Sequence, residues 1–255
     1  MTSEFADSVE RFSNRVENYV KYRPTYPKEV LELFTNEMGL RPDSVIADVG
    51  SGTGISTRVF LENGNTVFGI EPNSAMRRAA EEFLREFEHF HSVDATAEAT
   101  SLPNGFVDFI VAAQAFHWFD PAGTRGEFQR ILKSDGWVAL MWNERQLNTT
   151  PFLIDYEKLL LKFAGDYTKV RHDNITKDLL RNFFQADFRH ATFANAQVLD
   201  FEGLKGRVSS SSYMPAAADA RYEQMVEELK CLFAKHAQSD KITVFYDTNI
   251  FYTQY

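Results

Sequence analysis

Short apolar runs alternate with amphipathic segments from Ser44 to Trp142. The runs at 44–49 (SVIADV), 66–70 (TVFGI), 89–93 (HFHSV), 107–113 (VDFIVAA) and 136–142 (GWVALMW) have the length of strands, and the stretches between them carry helical spacing or turn residues. That alternation is the βαβ signature of a parallel sheet. Pro27 can begin a helix through Glu29 to Met38 that Gly39 stops, and a second helix runs from Thr53 to the breaker Asn63-Gly64. Asn73 is placed to cap the segment 74–87, and Pro121 to open the helix that carries Phe128, Ile131 and Leu132.

Beyond Trp142 the pattern loosens. Residues 150–164, 176–184 and 216–236 read as helices, and 189–201 and 241–252 as strands, the last rich in β-branched and aromatic residues. These add strands, with helical insertions between them, to the five already counted. There is no internal repeat, no Pro- or Gly-rich linker and no low-complexity tract beyond Ser209 to Ser212, so one domain is expected. A chain of 255 residues, 44% hydrophobic and 25% charged, can bury a full core.

Charge and cysteine content narrow the function classes. A formal net charge of -9 argues against general nucleic-acid binding, which depends on clustered Lys and Arg. Cys231 is the one cysteine, which excludes an internal disulfide and a thiolate zinc cluster; it falls within the apolar pattern of a helix and is expected in the core. No metal site is expected. The first residues lack an apolar run behind a basic start, and no apolar stretch of about 18 residues occurs, so no membrane association is expected and the cytoplasm is the default compartment.

The strongest local signal is 45–54, VIADVGSGTG, a buried-type strand running into three alternate glycines and then a helix. Glycines permit a tight turn at positive φ and let a ligand come against bare backbone, while the helix start offers unpaired N–H groups. A nicotinamide-dinucleotide fingerprint would want a glycine where Ile55 stands, which disfavours an NAD-dependent oxidoreductase. Glu71 ends the second run, 21 positions beyond Gly50, where a carboxylate can accept from ribose hydroxyls or simply cap the following helix. Asp94 ends the third run, placed either to accept from an adenine amine or to cap the next turn. After the fourth run, 112–120 (AAQAFHWFD) brings polar and aromatic groups to the same sheet edge.

Taken together, ADVGSGTG, FGIEPN, VDAT, DFIVAAQAFHWFD and LKSDGWVALMWN resemble the class I S-adenosylmethionine-dependent methyltransferases, in the small-molecule branch that includes trans-aconitate-type enzymes. The likeness is strong over 44–142. The segments 19–27 (YVKYRPTYP) and 211–215 (SSYMP) also look like flanking parts of that branch. The resemblance implies an α/β, doubly wound, Rossmann-like seven-stranded and mostly parallel sheet with helices on both faces and an antiparallel C-terminal strand. It implies a single methyltransferase domain over 1–255, with N-terminal cap or lid helices in 1–40, a cofactor-binding core in 44–142, and substrate-side helical insertions and final strands in 143–255.

Residue by residue, the resemblance implies that Asp48, Gly50, Ser51 and Gly52 surround the amino-acid part of S-adenosyl-L-methionine. It further implies that Glu71 holds the ribose, that Pro72, Asn73 and Met76 line the adenosine pocket, that Asp94 and Ala95 meet the adenine, and that Gln114, Ala115 and His117 follow the cofactor toward its methyl group. A sulfonium methyl is already electrophilic, so alignment of an acceptor behind it can do most of the work and a base is optional. His117 is the candidate base, with orientation of the loop beside Trp118 as its alternative. Tyr22, Arg23 and Tyr26 together with Tyr19 can form a lid, Arg23 pairing with a carboxylate of cofactor or acceptor, or can be a surface patch that anchors the N-terminus.

The expected function is methyl transfer to a small-molecule acceptor, with O-methylation of a carboxylic acid as one form of it, by a monomer or homodimer. A catalytically silent cofactor-binding module is the other reading, because fold and cofactor motif do not by themselves establish catalysis.

Overall fold

The computed structural model describes residues 16–165, 176–211 and 213–255. The expected strands all form: β1 Val45–Val49, β2 Thr66–Ile70, β3 Phe90–Val93, β4 Val107–Ala113, β5 Leu132–Arg145, β6 Arg189–Leu199 and β7 Ile242–Gln254. They make one seven-stranded sheet in the order β3-β2-β1-β4-β5-β7-β6. β1 to β5 pair in parallel, and β7 lies antiparallel between β5 and β6. Only β7 therefore runs against the others.

Successive residues of the central strands point to opposite faces. Ala47, Ile110, Val138 and Leu140 lie in one apolar cluster, whereas Ile46, Phe109, Val111 and Ala139 lie in the other. The first face is covered by α5 (Pro121–Ile131) and α7 (Lys177–Phe184), through Phe128, Ile131, Leu180 and Phe183. The second is covered by α2 (Lys28–Met38) and α3 (Ile55–Glu62), through Val30, Phe34 and Phe60. α4 (Ser74–Phe83) starts on the Asn73 cap, whose Oδ1 accepts from the N–H groups of Ala75 and Met76. A third cluster joins α6 (Pro151–Phe163), α8 (Phe201–Ser209) and α9 (Tyr222–His236) over the β6–β7 end of the sheet.

Four local expectations need correction. Leu132 opens β5 instead of closing α5. α4 stops at Phe83, and residues 216–221 are turn, so both helices are shorter than their apolar patterns. The stretch 201–209 forms a helix that its Gly203 and Gly206 disguised by their low helix propensity. Cys231 is exposed, because it stands two residues, about 200°, from Leu229 on a helix whose core stripe is Met225, Leu229 and Leu232.

The N-terminal helix α1 (Val16–Tyr22) packs on α8, and the ring of Tyr22 occupies the space where Gly206 has no side chain: a Cβ there would lie 2.1 Å from Tyr22 Cδ2. Gly206→Ala is accordingly expected to lower stability by about 1–3 kcal/mol, the usual cost of overpacking. Urea unfolding checks it, and a midpoint unchanged from wild type would show that Tyr22 yields without cost.

Candidate active site

The carboxyl ends of β1, β2 and β4 open into one cleft of about 600 Å³. Its floor begins at the turn after β1, where the N–H groups of Gly50 and Ser51 both donate to the Ile70 carbonyl and so tie the turn to the end of β2. Gly50, Gly52 and Gly54 all have positive φ, and no side chain caps α3. Beneath the turn Asp48 is fully buried; its Oδ2 accepts from Ser56 Oγ at 2.7 Å and Thr57 Oγ1 at 2.6 Å. Burial pushes its carboxyl up to about 6 against the pull of those two hydroxyls. Its Oδ1 and the Thr53 hydroxyl have no hydrogen-bond partner among the described residues.

Glu71 closes the next side of the cleft. One oxygen accepts from the Gly52 N–H at 3.0 Å and the other from the Asn73 N–H at 2.8 Å, while burial raises its pKa despite those bonds. Both oxygens keep a lone pair for a further donor. Pro72, Asn73 and Met76 continue the wall, followed by Thr96, Ala97 and Glu98 from the segment after β3.

After β4 the chain turns sharply at Gln114, a non-glycine residue at φ 59, whose N–H donates to the Met141 carbonyl. A left-handed backbone at a bulky residue costs free energy and is held by its surroundings. It is followed by the 3-10 turn Phe116–Trp118, and Ala115, His117, Trp118 and Phe119 line the cleft. The His117 ring lies against that of Trp118, centroids 4.8 Å apart.

The remaining wall comes from both ends of the chain. Tyr19, Arg23, Pro24 and Tyr26 line it, and burial raises the Tyr26 hydroxyl well above the ordinary phenol range. Their backbone is tied down from the far strands: Asn143 and Asn195 amides donate to the Thr25 carbonyl at 3.2 and 2.8 Å, and Gln197 donates to the Tyr22 carbonyl at 2.9 Å. Residues 143–149, the end of β5 and the segment that follows it, complete it with Arg207, Tyr213 and Asp247.

Most of the residues singled out in the sequence thus meet in one place. Four do not line it, Asp48 because it is buried beneath the turn. Asp94 points away, its carboxylate held by Arg77 at 2.7 Å and 69% exposed; Arg77 is itself fastened to the Glu71 carbonyl, so the pair braces the outside of the wall. Ala95 is buried in the apolar cluster, and Thr96 and Ala97 occupy the wall in its stead. Tyr22 is spent on Gly206. Residues 1–15 of the expected N-terminal cap, and Ser212 of the segment 211–215, lie outside the described residues. Among the described residues there is no group of three or more potential metal ligands, and no helix is long and apolar enough to cross a membrane.

Arg207 was missed, and Tyr213 was noted only as part of the segment 211–215, without a place in the site. The available signal was the stripe Leu204, Arg207, Val208 and Ser211, an arginine standing at helical spacing among residues that face inward.

Residues 47–140 match the methyltransferase domain family. A methyltransferase-like protein of Schizosaccharomyces pombe is 24% identical over 250 residues, 95% of this chain and 94% of its own. Among solved structures, one described as a type II methyltransferase from Anaeromyxobacter dehalogenans superposes with a TM-score of 0.68 at 19% identity, covering 91% of this chain and 98% of its own. A phosphoethanolamine N-methyltransferase of Haemonchus contortus, solved with S-adenosylhomocysteine, gives 0.58 at 13% identity over 99% of this chain and 60% of its own.

Domain match, relatives and sheet topology agree on a class I S-adenosylmethionine-dependent methyltransferase, with the methyltransferase domain matched over residues 47–140. The residues present suit that cofactor. A buried carboxylate with an unused oxygen answers a cationic ligand, and a Cβ on Gly52 would meet no protein atom within 4 Å, so backbone is bare where the cleft floor needs it.

Proposed function

We propose that this enzyme methylates a small carboxylic acid on oxygen. The observation that carries the reading is the continuity of the cleft: a single space of about 600 Å³ joins the glycine turn to a wall of tyrosines and arginines supplied by residues 19–26, 143–149 and 207–213. That volume suits a small ligand held beside a cofactor. The resemblance to trans-aconitate-type enzymes points to the same acceptor class.

Asp48, Gly50, Ser51 and Gly52 would hold the amino-acid end of the cofactor, Glu71 the ribose, and Pro72, Asn73 and Met76 the adenosine, with Thr96 and Ala97 beyond. When bound, S-adenosylmethionine supplies an electrophilic methyl group, transferred by direct in-line displacement. Gln114, Ala115 and His117 stand toward the reacting end. Tyr19, Tyr26 and Trp118 exclude water there and orient the acceptor, and such positioning can lower a barrier by about 7–11 kcal/mol. A carboxylic acid is ionised at neutral pH, so its methylation needs no proton removed. His117 is then a wall and orienting residue, and only an acceptor that carries a proton would use it as a base.

Labelled-methyl transfer to a panel of organic acids tests the proposal, with base-labile label expected because esters hydrolyse in alkali. Label that survives alkali would mean a nitrogen or carbon acceptor, and cofactor binding with no transfer to any acid would favour the silent module. For His117→Ala, turnover on an acid is expected to fall by less than tenfold with S-adenosylhomocysteine affinity held. A loss of about 10²-fold or more, the usual worth of acid–base catalysis, would make it a base.

A further inference from the structure

A single carboxylate ties the segment between β3 and β4 to the start of α5. That helix carries half of a capping box: Asp120, its N-cap, accepts from the Gly123 N–H through Oδ2 at 3.0 Å. In the local form of the motif an acid at the third helical position returns a bond to the N-cap N–H, but the third residue of α5 is Gly123, which has no side chain. Glu98 supplies that bond from 22 positions upstream. Its Oε1 accepts from the Asp120 N–H at 3.0 Å and from Thr124 Oγ1 at 3.4 Å. The glycine also makes room for it, since a Cβ on Gly123 would lie 3.2 Å from Glu98 Cγ and 2.9 Å from Asp120 Oδ2. A carboxylate at this helix end is further favoured by the helix dipole.

The bond joins two walls of the cleft. Glu98 lines it beside Thr96 and Ala97, at the adenosine side, and Asp120 directly follows Trp118 and Phe119, which line it toward the reacting end. Phe119 in turn packs on the glycine turn, where a Cβ on Gly50 would lie 3.2 Å from its Cζ. Two residues beyond Glu98 the roles are reversed: Glu127 of α5 accepts from the Thr100 N–H at 2.7 Å and from Thr100 Oγ1 at 2.6 Å, and is itself held by Arg130 at 2.7 Å. The adenosine wall is thus fastened to α5 at both ends of the helix, once by its own carboxylate and once by the helix's.

We infer that Glu98 is a positioning residue for the cofactor: through the Asp120 main chain it sets the spacing between the adenosine wall and the Trp118–Phe119 turn, and so the width of the cleft that the cofactor enters. If the two walls are free to shift, a ligand that bridges them must order them out of its own binding energy, and its affinity falls by the fraction of molecules in which they are correctly spaced. The inference concerns cofactor binding alone and holds for any methyl acceptor.

S-adenosylhomocysteine binding to the full chain is measured by calorimetry, together with the thermal midpoint and the hydrogen exchange of the amides of 116–120. Glu98→Ala is expected to bind tenfold or more weakly and to speed exchange at Asp120, whereas Glu98→Gln, which keeps an acceptor oxygen, stays within threefold of wild type. Gly123→Ala separates an effect of spacing from a direct contact, because Gly123 is outside the cleft lining. Its methyl group crowds Glu98 and Asp120, so binding is expected to fall at least threefold even though alanine favours the helix. It also carries the test if Glu98→Ala does not fold. The inference is overturned if Glu98→Ala lowers the midpoint and leaves affinity unchanged, which would make Glu98 a helix cap and nothing more. It is overturned as well if Glu98→Gln binds as weakly as Glu98→Ala, or if Gly123→Ala keeps wild-type affinity, since either would place the effect in a direct contact of the carboxylate with the ligand.

Discussion

Asp48→Asn is expected to weaken S-adenosylmethionine binding by roughly 10- to 100-fold at pH 8, the worth of about 1.5–3 kcal/mol for a charged hydrogen-bonding group. The same change is expected to abolish a pH dependence that wild type shows. In the free protein this buried carboxyl titrates near 6, raised by desolvation from the ordinary 3.8. A cation arriving above it favours the ionised form, so binding lowers its pKa and releases a proton. Affinity should thus rise with pH up to and somewhat beyond 6 and then level off. Calorimetry at pH 5, 6, 7 and 8 reads both the affinity and the proton released. Identical affinities and slopes in wild type and variant would show that Asp48 supports the turn and nothing more.

The same group bears on stability with the opposite sense. Because its folded-state pKa lies above the unfolded value, its contribution to the ligand-free fold is fully present below about pH 4 and is lost as the pH rises through 6. The difference between 3.8 and about 6 corresponds to about 3 kcal/mol at most. Asp48→Asn removes that slope, so the variant should gain on wild type in ligand-free thermal stability between those limits while losing cofactor affinity. A shared loss of both would point to a damaged fold instead.

Gly50→Ala and Gly52→Ala are expected to fail in different ways. Both sites have positive φ, 71° and 56°, where an L side chain adds about 1–2 kcal/mol of strain. At Gly50 a Cβ would also lie 2.5 Å from the Ala115 Cβ, a contact with no flexible end to move, adding about 1–3 kcal/mol. The sum is a large fraction of a domain's stability. It would separate the turn from the segment after β4 and so part the two halves of the cleft floor. At Gly52 nothing lies within 4 Å, so the fold should lose only the strain, whereas the new methyl group takes up space in the cleft. Urea midpoints should therefore fall much further for Gly50→Ala, and at full folding Gly52→Ala should show weakened S-adenosylhomocysteine binding. If Gly52→Ala binds as wild type does, the ligand does not approach that backbone.

The strands, the glycine turn and the residues at the strand ends were legible because each rests on neighbours in the chain. Apolar runs of strand length, a Pro or Asn at a helix start and a glycine at its end are local signals, and in a parallel sheet consecutive strand ends fall on the same edge. Val45 to Val49 followed by Gly50, Gly52 and Gly54 therefore placed the glycine turn, and Glu71 and Gln114 the strand ends beside it, at one sheet edge before any contact was known.

What the chain's pattern could not decide was every choice made between distant segments. The apolar spacing at Cys231 reads the same on either side of α9 until its stripe meets α6. Asp94 had a competitor, Arg77, whose reach depends on how α4 lies on the sheet. The position of β7 between β5 and β6, and the ties from Asn143, Asn195 and Gln197 to the N-terminal backbone, follow from long-range pairing. That same pairing carries Arg207 on α8 to the cleft through Tyr246 of β7. Periodicity specifies which face of an element is apolar, while its partner is set by the packing of the whole chain, and Arg207 reaches the cleft only after that packing is complete.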